Sequence, residues 1–221
     1  MPVPPVSQRY RDSRRRQILH AARECFARGG FHGTSMQDVF AESGLSAGAV
    51  YGYFASKNDL AGAIIEEVLS EIAVALDTVT NPEPPPPLCE VLGQVFQVLD
   101  RPPNGRQLAS LAVQVWAEAG RSPELSARLS GYYRQMSERF TTLVQRYQRD
   151  DALNPDVDPH HLAQVLTALG PAFLSQRALL DDVSAGTFSR GLCGLLAIHP
   201  DQKPIAQQEA ALGTRVTGLS R

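Results

Sequence analysis

The sequence of 221 residues lacks the marks of several protein classes. It contains no stretch of about 18 uncharged apolar residues, so no transmembrane helix is expected. No apolar segment follows the charged first residues, which argues against a secretory signal. The cysteines Cys25, Cys89 and Cys193 are odd in number and far apart, and they fit neither a disulfide framework nor a zinc site. We therefore expect a cytoplasmic protein with free thiols.

Catalytic and cofactor-binding motifs are also missing. The chain has no glycine-rich phosphate loop, no nucleophile elbow and no arrangement that predicts a catalytic triad. His160 and His161 are adjacent, so they lie on different helix faces, and neither has a cysteine or carboxylate partner at ligand spacing. We expect neither an enzyme nor a metal or cofactor site.

Positive charge is concentrated at one end of the chain. Residues 1–60 hold 8 basic and 5 acidic side chains, whereas the other 161 residues hold 13 basic and 18 acidic ones. A basic first quarter on an acidic remainder indicates an anion-binding end. Only two of the basic residues are lysines. A genome base composition that favours arginine codons is therefore an alternative explanation for the basic N-terminal segment.

Every periodic segment has the helical repeat, so we predict an all-α protein with about nine helices. Thr34 and Gln37 have the spacing of a capping box, while Ser122-Pro123 and Asp158-Pro159 each place a capping residue before a proline. Gly170-Pro171 should kink the penultimate helix. The predicted helices span about 13–28, 34–43, 46–53, 56–80, 88–100, 106–120, 123–150, 159–181 and 185–198.

The second and third helices, separated by a turn at residues 43–45, have the form of a helix-turn-helix, which lays its second helix into the major groove of DNA. Around them lie Gly29-Gly30-Phe31, Thr34 and the run GLSAGAVYGYFASKNDL at 44–60. Through these residues, segment 13–62 resembles the tetracycline-repressor (TetR) family of bacterial transcriptional regulators. The resemblance implies a homodimer that binds a palindromic DNA operator and releases it on binding a small molecule.

The resemblance also implies a division of the chain. We expect an N-terminal arm and DNA-binding domain at 1–60, with the helix-turn-helix at about 35–54. A helical ligand-binding and dimerisation domain follows at 61–198, and a flexible tail at 199–221. The competing hypothesis is a helical ligand-binding or scaffolding module whose basic, amphipathic first helix contacts an anionic membrane or a partner.

The third helix is expected to face DNA. Val50 and Phe54 are four residues apart and should point into the core, leaving Tyr51 and Tyr53 outward. The resemblance assigns phosphate contacts to Thr34 and Lys57. Small residues stand where relatives carry longer polar side chains, so hydrogen bonds to base edges should be sparse. The expected DNA-binding residues are Thr34, Ser35, Ser46, Ala47, Gly48, Tyr51, Gly52, Tyr53 and Lys57.

For the remainder of the chain, the resemblance implies a ligand pocket and a dimer formed by the last two long helices. The segment 185–198 looks apolar nearly all round, which predicts burial. The inducer is expected to be hydrophobic, with Tyr133, Gln114 and Gln176 as candidate polar anchors. For each pocket residue, the alternative is that it only packs in the hydrophobic core. The expected pocket residues are Phe96, Leu111, Val115, Trp116, Tyr133, Met136, Phe140, Phe173 and Gln176. The expected dimer residues are Phe173, Leu180, Phe188, Leu192, Leu195 and Leu196.

Overall fold

The computed structural model describes residues 8–80, 82–83, 85–101 and 105–196. These residues form nine helices and no strand, as predicted. The expected tail at 199–221 and residues 1–7 of the arm lie outside the described residues. The helices are α1 (Gln8–Gly33), α2 (Met36–Ser43), α3 (Ala47–Tyr51), α4 (Lys57–Thr80), α5 (Leu88–Leu99), α6 (Gly105–Ala119), α7 (Pro123–Arg149), α8 (Pro159–Leu179) and α9 (Ala185–Leu196).

The helix start signals at Ser122 and Asp158 are confirmed. The Ser122 side chain accepts a hydrogen bond from the Leu125 N–H, and the Asp158 side chain accepts one from the His160 N–H. A proline follows each cap, where its missing N–H costs no helical hydrogen bond. Helix α1 begins five residues earlier than predicted, and its backbone breaks at Gly30, where φ is 68°.

The hydrophobic core consists of two clusters that do not separate at residue 60. The first joins α1, α2 and α3 to the start of α4, and it also takes Leu111 from α6 and Leu125 from α7. The second fills the space between α4, α5, α6, α7, α8 and α9. Helix α4 contributes to both clusters, with Ile64 in the first and Ile72 in the second. This continuous helix therefore links the two halves of the molecule.

The expectation of free thiols throughout is wrong. Cys89 of α5 and Cys193 of α9 form a disulfide with their Cα atoms 5.0 Å apart, although 104 residues separate them in sequence. Cys25 is free and buried. Because the two helices pack side by side, the tertiary structure brings together two cysteines whose spacing suggested no bond.

The predicted burial of helix α9 is incomplete within the single chain. Phe188, Leu192 and Leu196 pack against the second cluster, whereas Gly191, Gly194 and Leu195 face outward and are exposed. Ile198, the last apolar residue of the predicted helix, lies outside the described residues. One side of the helix therefore packs within its own chain, and the other side is exposed.

Candidate nucleic-acid interface and ligand cavity

A reciprocal hydrogen-bond pair begins α2, one residue later than predicted. The Ser35 hydroxyl accepts from the Asp38 N–H at 3.2 Å, and the Asp38 carboxylate accepts from the Ser35 N–H at 2.7 Å. These bonds from Ser35 lower the pKa of the Asp38 carboxyl below its ordinary value of 3.8. The capping box therefore uses Ser35 and Asp38 rather than Thr34 and Gln37.

Side-chain and backbone geometry hold α3 firmly against α2. Gly44 adopts the left-handed conformation, with φ 66°, that turns the chain after α2. The Ser46 hydroxyl then caps α3 by accepting from the Ala49 N–H at 3.3 Å. Val50 and Phe54 are buried, as expected. This packing fixes the direction in which the outer side of α3 points.

The outer side of α3 forms a continuous exposed surface. Tyr51 is 51% exposed, and its ring stands edge-on to Phe40 with the centroids 5.2 Å apart. This contact orients the phenol while leaving its hydroxyl accessible. The exposed residues expected to contact DNA are Ser35, Ser46, Ala47, Gly48, Tyr51, Gly52 and Tyr53.

The structure corrects the role of Thr34. Its side chain is only 4% exposed, and its hydroxyl donates to the Cys25 carbonyl at 3.0 Å and the Gly30 carbonyl at 2.8 Å. Because this hydroxyl is buried and already donates its one proton to backbone carbonyls, it does not donate to a phosphate. Thr34 instead fixes the end of α1 beneath the DNA-facing surface.

Lys57 is anchored to the same segment. Its ammonium group donates to the Phe31 carbonyl at 2.6 Å and the Thr34 carbonyl at 2.9 Å, and it lies 4.5 Å from the centre of the Phe31 ring. An ammonium group carries three N–H donors, so one remains for a further acceptor. The lysine therefore has a structural role that sequence reasoning missed, and a phosphate contact by its third donor stays a prediction.

The start of α1 presents arginine side chains to solvent. Arg9, Arg11 and Arg16 are exposed, whereas Arg15 forms an ion pair with Glu67 at 3.1 Å. The described part of the expected arm is thus a helical extension of α1. Three of its arginines are placed to contact an anionic partner.

A cavity of about 110 Å³ lies between α4, α5, α6, α7 and α8. Five of the expected pocket residues line it: Phe96, Trp116, Tyr133, Met136 and Phe140.

The other four expected residues lie elsewhere. Leu111 and Val115 belong to the first core cluster, Phe173 is completely buried beside Phe188, and Gln176 is exposed on α8. Sequence reasoning also missed the α4 wall, formed by Ile65, Val68, Leu69 and Ile72. The long apolar face of α4 carried that signal, because it continues well beyond the DNA-binding segment.

The cavity is apolar and uncharged. None of the described residues that line it is Asp, Glu, Lys, Arg or His. Burial raises the pKa of the Tyr133 phenol, and a hydrogen bond from Trp116 partly opposes this effect. Burial likewise raises the pKa of Tyr132. Both phenols are therefore neutral at physiological pH, and the cavity favours an uncharged occupant.

Pro171 interrupts the helical hydrogen bonding of α8 beside the cavity. A proline has no N–H, so the carbonyl of Thr167 receives no helical hydrogen bond from position 171. Thr167, Gly170 and Pro171 all line the cavity. The kink expected at Gly170-Pro171 remains a prediction.

Gln114 connects α6 to the DNA-binding helices instead of anchoring a ligand. Its Oε1 atom accepts the Phe31 N–H at 2.6 Å. A Cβ atom on Gly30 would lie 2.7 Å from the same oxygen, so a glycine there permits this approach. The two backbone polar groups of Phe31 thus bond to Gln114 on one side and Lys57 on the other.

The expected dimer residues divide into two groups. The rings of Phe173 and Phe188 meet edge-on inside the chain, with centroids 5.4 Å apart, and Leu192 and Leu196 also pack against the second cluster. Leu180 and Leu195 are exposed. Phe173 is completely buried, whereas Phe188, Leu192 and Leu196 are half-buried in the single chain, so their part in a dimer stays a prediction.

A further exposed and mostly apolar surface lies on α8, one of the two helices expected to form the dimer, although its residues were not among those predicted. Val165 is 61% exposed and Leu179 is 77% exposed, with Ala168, Ala172 and Gln176 exposed between them at helical spacing. We call these five residues the α8 stripe. A surface helix normally turns such a stripe toward a partner.

Neither a metal site nor a membrane span is present in the part of the chain that the structure describes. Over these ranges, no group of three His, Cys, Asp or Glu side chains is arranged to hold a metal ion. Within the same residues, no helix combines the length and hydrophobicity needed to cross a membrane.

Known proteins share both halves of this arrangement. The family described as bacterial regulatory proteins, tetR family, matches residues 18–64, and the BetI-type transcriptional repressor C-terminal family matches residues 92–171. The uncharacterized HTH-type transcriptional regulator YfiR of Bacillus subtilis is 33% identical over 148 residues, which is 65% of this chain and 69% of YfiR.

Solved structures extend the similarity to the whole fold. Salmonella enterica GusR is 28% identical, has a TM-score of 0.66, and covers 87% of this chain and 99% of its own. A putative transcriptional regulator from Saccharomonospora viridis in complex with choline has a TM-score of 0.65 at 23% identity, covering 84% of this chain and 96% of its own.

Proposed function

Because this chain belongs to the TetR family of bacterial transcriptional regulators, which are not enzymes, we propose that it is a ligand-responsive repressor that binds a palindromic operator as a homodimer in the cytoplasm. One observation carries the proposal. Helix α4 shares the first core cluster with α1, α2 and α3 at its start and lines an apolar cavity further along. A ligand in the cavity and DNA on α3 therefore act on elements that α4 connects.

DNA affinity comes mainly from phosphate contacts. The outer side of α3 offers only short side chains apart from Tyr51 and Tyr53, so few base edges are reached. The α3 N-terminus at Ser46, the remaining donor of Lys57 and the exposed arginines of α1 are suited to phosphates. Tyr51 is the side chain that we propose touches a base. Such binding should weaken steeply with salt, because each neutralised phosphate releases counterions.

Two copies of α3 must be held about 34–36 Å apart to read successive major grooves. The α8 stripe, together with Leu195 of α9, is the surface proposed to join the protomers. It is mostly apolar and exposed, and it lies on helices of the second core cluster. A two-fold symmetric dimer would bury this surface against its own copy.

The inducer is proposed to be a small, neutral, mostly apolar molecule with one hydrogen-bond donor. The uncharged lining disfavours an ion, since burying a charge without a partner is costly. We propose the Thr167 carbonyl as its acceptor, because Thr167 lines the cavity and Pro171 offers this carbonyl no N–H. At about 110 Å³ the cavity is smaller than a typical ligand pocket of roughly 300–1,000 Å³, so larger ligands must displace its walls. Displacement of α4 or α6 is the movement that we propose changes the position of the DNA-binding helices.

Induction is proposed to act by selecting a conformer with misplaced reading helices. The ligand lowers operator affinity only if it binds that conformer better than the DNA-bound one. Helix α4 transmits the ligand-induced movement through Lys57, and α6 transmits it through Gln114. Both side chains bond to the backbone of Phe31. The DNA-binding end therefore moves as a unit when either helix shifts.

Operator binding is tested with the DNA beside the protein's own coding region. A duplex carrying an inverted repeat from that region should bind two protomers, with an affinity that falls steeply with salt. A duplex of equal length and composition, with one half-site scrambled, is the control. Equal binding to both duplexes at all salt concentrations would refute sequence-specific repression.

Ligand preference is tested with choline and dimethylbutanol, the uncharged analogue in which carbon replaces the choline nitrogen. Trp116 is the chain's one tryptophan and lines the cavity, so its fluorescence reports occupancy. Dimethylbutanol should bind at the lower concentration. Ala112→Leu should block binding because Ala112 lines the cavity, whereas Ala117→Leu on the exposed side of α6 should not. Tighter binding of choline would show that the aromatic walls form a cation site.

A further inference from the structure

Helix α9 is attached to α5 at both of its ends. At its start, the Asp100 carboxylate accepts the Ala185 N–H at 2.9 Å and also the Arg177 side chain at 2.8 Å. At its end, the Cys89–Cys193 disulfide joins the last turn of α9 to the first turn of α5. The first attachment is polar and independent of redox conditions. The second depends on the oxidation state of two sulfur atoms.

The surface between the two attachments is closely packed. A Cβ atom on Gly93 would lie 2.7 Å from the Ser189 hydroxyl, and the Phe96 and Phe188 rings meet edge-on with centroids 4.9 Å apart. Cys89, Gly93 and Phe96 follow one another at helical spacing along α5. The thiols therefore remain neighbours when the disulfide is reduced, because packing keeps α9 in place.

The three cysteines differ in their access to reagents. Cys89 and Cys193 are half-buried, so an oxidant or a small thiol can approach them. Cys89 lies in the first turn of α5, where the partial positive charge of a helix N-terminus stabilises an anionic sulfur. Cys25 is buried, and desolvation raises the pKa of its thiol. Cys25 is therefore a matched unreactive control within the same chain.

We propose that Cys89 and Cys193 form a reversible thiol-oxidation site that responds to hydrogen peroxide and fixes α9 for dimerisation. The Cys89 thiolate attacks one peroxide oxygen, which gives a sulfenic acid on Cys89 and a hydroxide that takes up a proton to become water. The Cys193 thiolate attacks that sulfur and expels hydroxide, which takes up a proton from solvent to become a second molecule of water, and the disulfide forms. Two molecules of glutathione return both electrons and leave as glutathione disulfide.

The disulfide affects dimerisation because α9 contains Leu195, which belongs to the proposed dimer surface. Leu195 is 83% exposed and lies two residues after Cys193, so the disulfide holds this part of the proposed dimer surface in place. Reduction leaves the end of α9 held by packing alone. The thiols stay close to each other, but Leu195 is held less rigidly, which weakens dimerisation. This step rests on the proposed function, because weaker dimerisation lowers operator affinity. In a thiol-reducing cytoplasm, such a bond forms only under oxidative challenge.

The chemistry is tested on the full chain. The reduced protein is treated with hydrogen peroxide, then with reduced glutathione, and free thiols are alkylated and mapped by mass spectrometry at each stage. Cys89 and Cys193 should lose and regain their thiols together while Cys25 is unchanged. Cys25→Ser should behave as the native chain, whereas Cys89→Ser and Cys193→Ser should each abolish pairing. A pair that never forms, or that glutathione does not reduce, would overturn the proposal.

The consequence is tested by comparing the two oxidation states of the native chain. Oxidation should raise the thermal midpoint by about 10 °C, as expected for closing a loop of this length. It should also lower the protein concentrations for dimerisation and operator binding several-fold. Equal dimerisation in both states would overturn the inference while leaving operator binding intact. Redox-dependent dimerisation without any operator binding would support the thiol site and refute the proposed function instead.

Discussion

Gln114 is expected to stabilise the junction between the two core clusters. Phe31 is 1% exposed and directly follows the break of the helical backbone at Gly30. The Gln114 Oε1 atom accepts the Phe31 N–H at 2.6 Å. Gln114→Leu preserves the size of the side chain but removes the acceptor. Leaving a buried N–H unpaired costs about 1–3 kcal/mol, so the free energy of unfolding should fall by that amount.

The matched control is Gln114→Glu, which keeps an oxygen acceptor at the same position. It should retain most of the stability that Gln114→Leu loses. Both variants are measured by urea unfolding, followed by Trp116 fluorescence and by circular dichroism. For a chain of this size, 1–3 kcal/mol corresponds to a fall of about 2–12 °C in the thermal midpoint. Equal free energies for the native chain and Gln114→Leu would refute the reasoning.

The same pair of variants tests the proposed transmission to DNA. If α6 moves the DNA-binding end through Phe31, a ligand that fills the cavity should release Gln114→Leu from the operator less effectively than the native chain. Gln114→Glu should respond more nearly as the native chain does. Operator affinity with and without dimethylbutanol gives the coupling directly. An unchanged response in Gln114→Leu would assign the transmission to α4 alone.

Four further changes test the site. Tyr51→Ala should relax base preference at one position in each half-site by about 1–3 kcal/mol, and an unchanged operator scan would show that α3 is oriented differently. Lys57→Ala should lower stability and flatten the salt slope by about one unit for each phosphate that the lysine neutralises, while a lower stability with an unchanged slope would leave only its structural role. Ala172→Glu should give monomers in sedimentation, since it buries an unpaired charge in the α8 stripe, and a stable dimer would exclude that surface. Asp38→Asn should remove part of the acid dependence of stability. The folded-state pKa of Asp38 is lowered, so its stabilising contribution is present above the ordinary value of 3.8 and is lost as pH falls through the lowered pKa. An NMR titration of the native carboxyl measures this pKa, and a value at or above 3.8 would contradict the reciprocal hydrogen bonds.

Local signals in the sequence predicted the helices well. A capping side chain acts within one turn, so Ser122 and Asp158 identified the starts of α7 and α8. Val50 and Phe54 were placed in the core by helical spacing alone. At α2, two neighbouring hydroxyl residues offered the same signal. Burial of Thr34 beneath α1 decided between them, and that burial depends on a contact outside the helix.

The pocket was predicted less well, because periodicity shows that a residue is buried but not what covers it. Leu111 and Val115 have the spacing of inward residues, yet they pack toward the DNA-binding helices rather than the cavity. Phe173, expected both in the pocket and at the dimer interface, is completely buried and contacts Phe188. The dimer interface itself stays a prediction. The division of the chain at residue 60 stays a prediction, since one core cluster includes residues on both sides of it.

The sequence by itself determined the all-helical class, the helix-turn-helix and the residues that α3 exposes, because caps, turns and apolar spacing act over a few residues. Only the tertiary structure decided which distant groups meet. Gln114 bonds to Phe31 across 83 residues, and Cys89 pairs with Cys193 across 104. Such pairs depend on how whole helices pack, and packing is set by the combined shape of many side chains rather than by any local pattern.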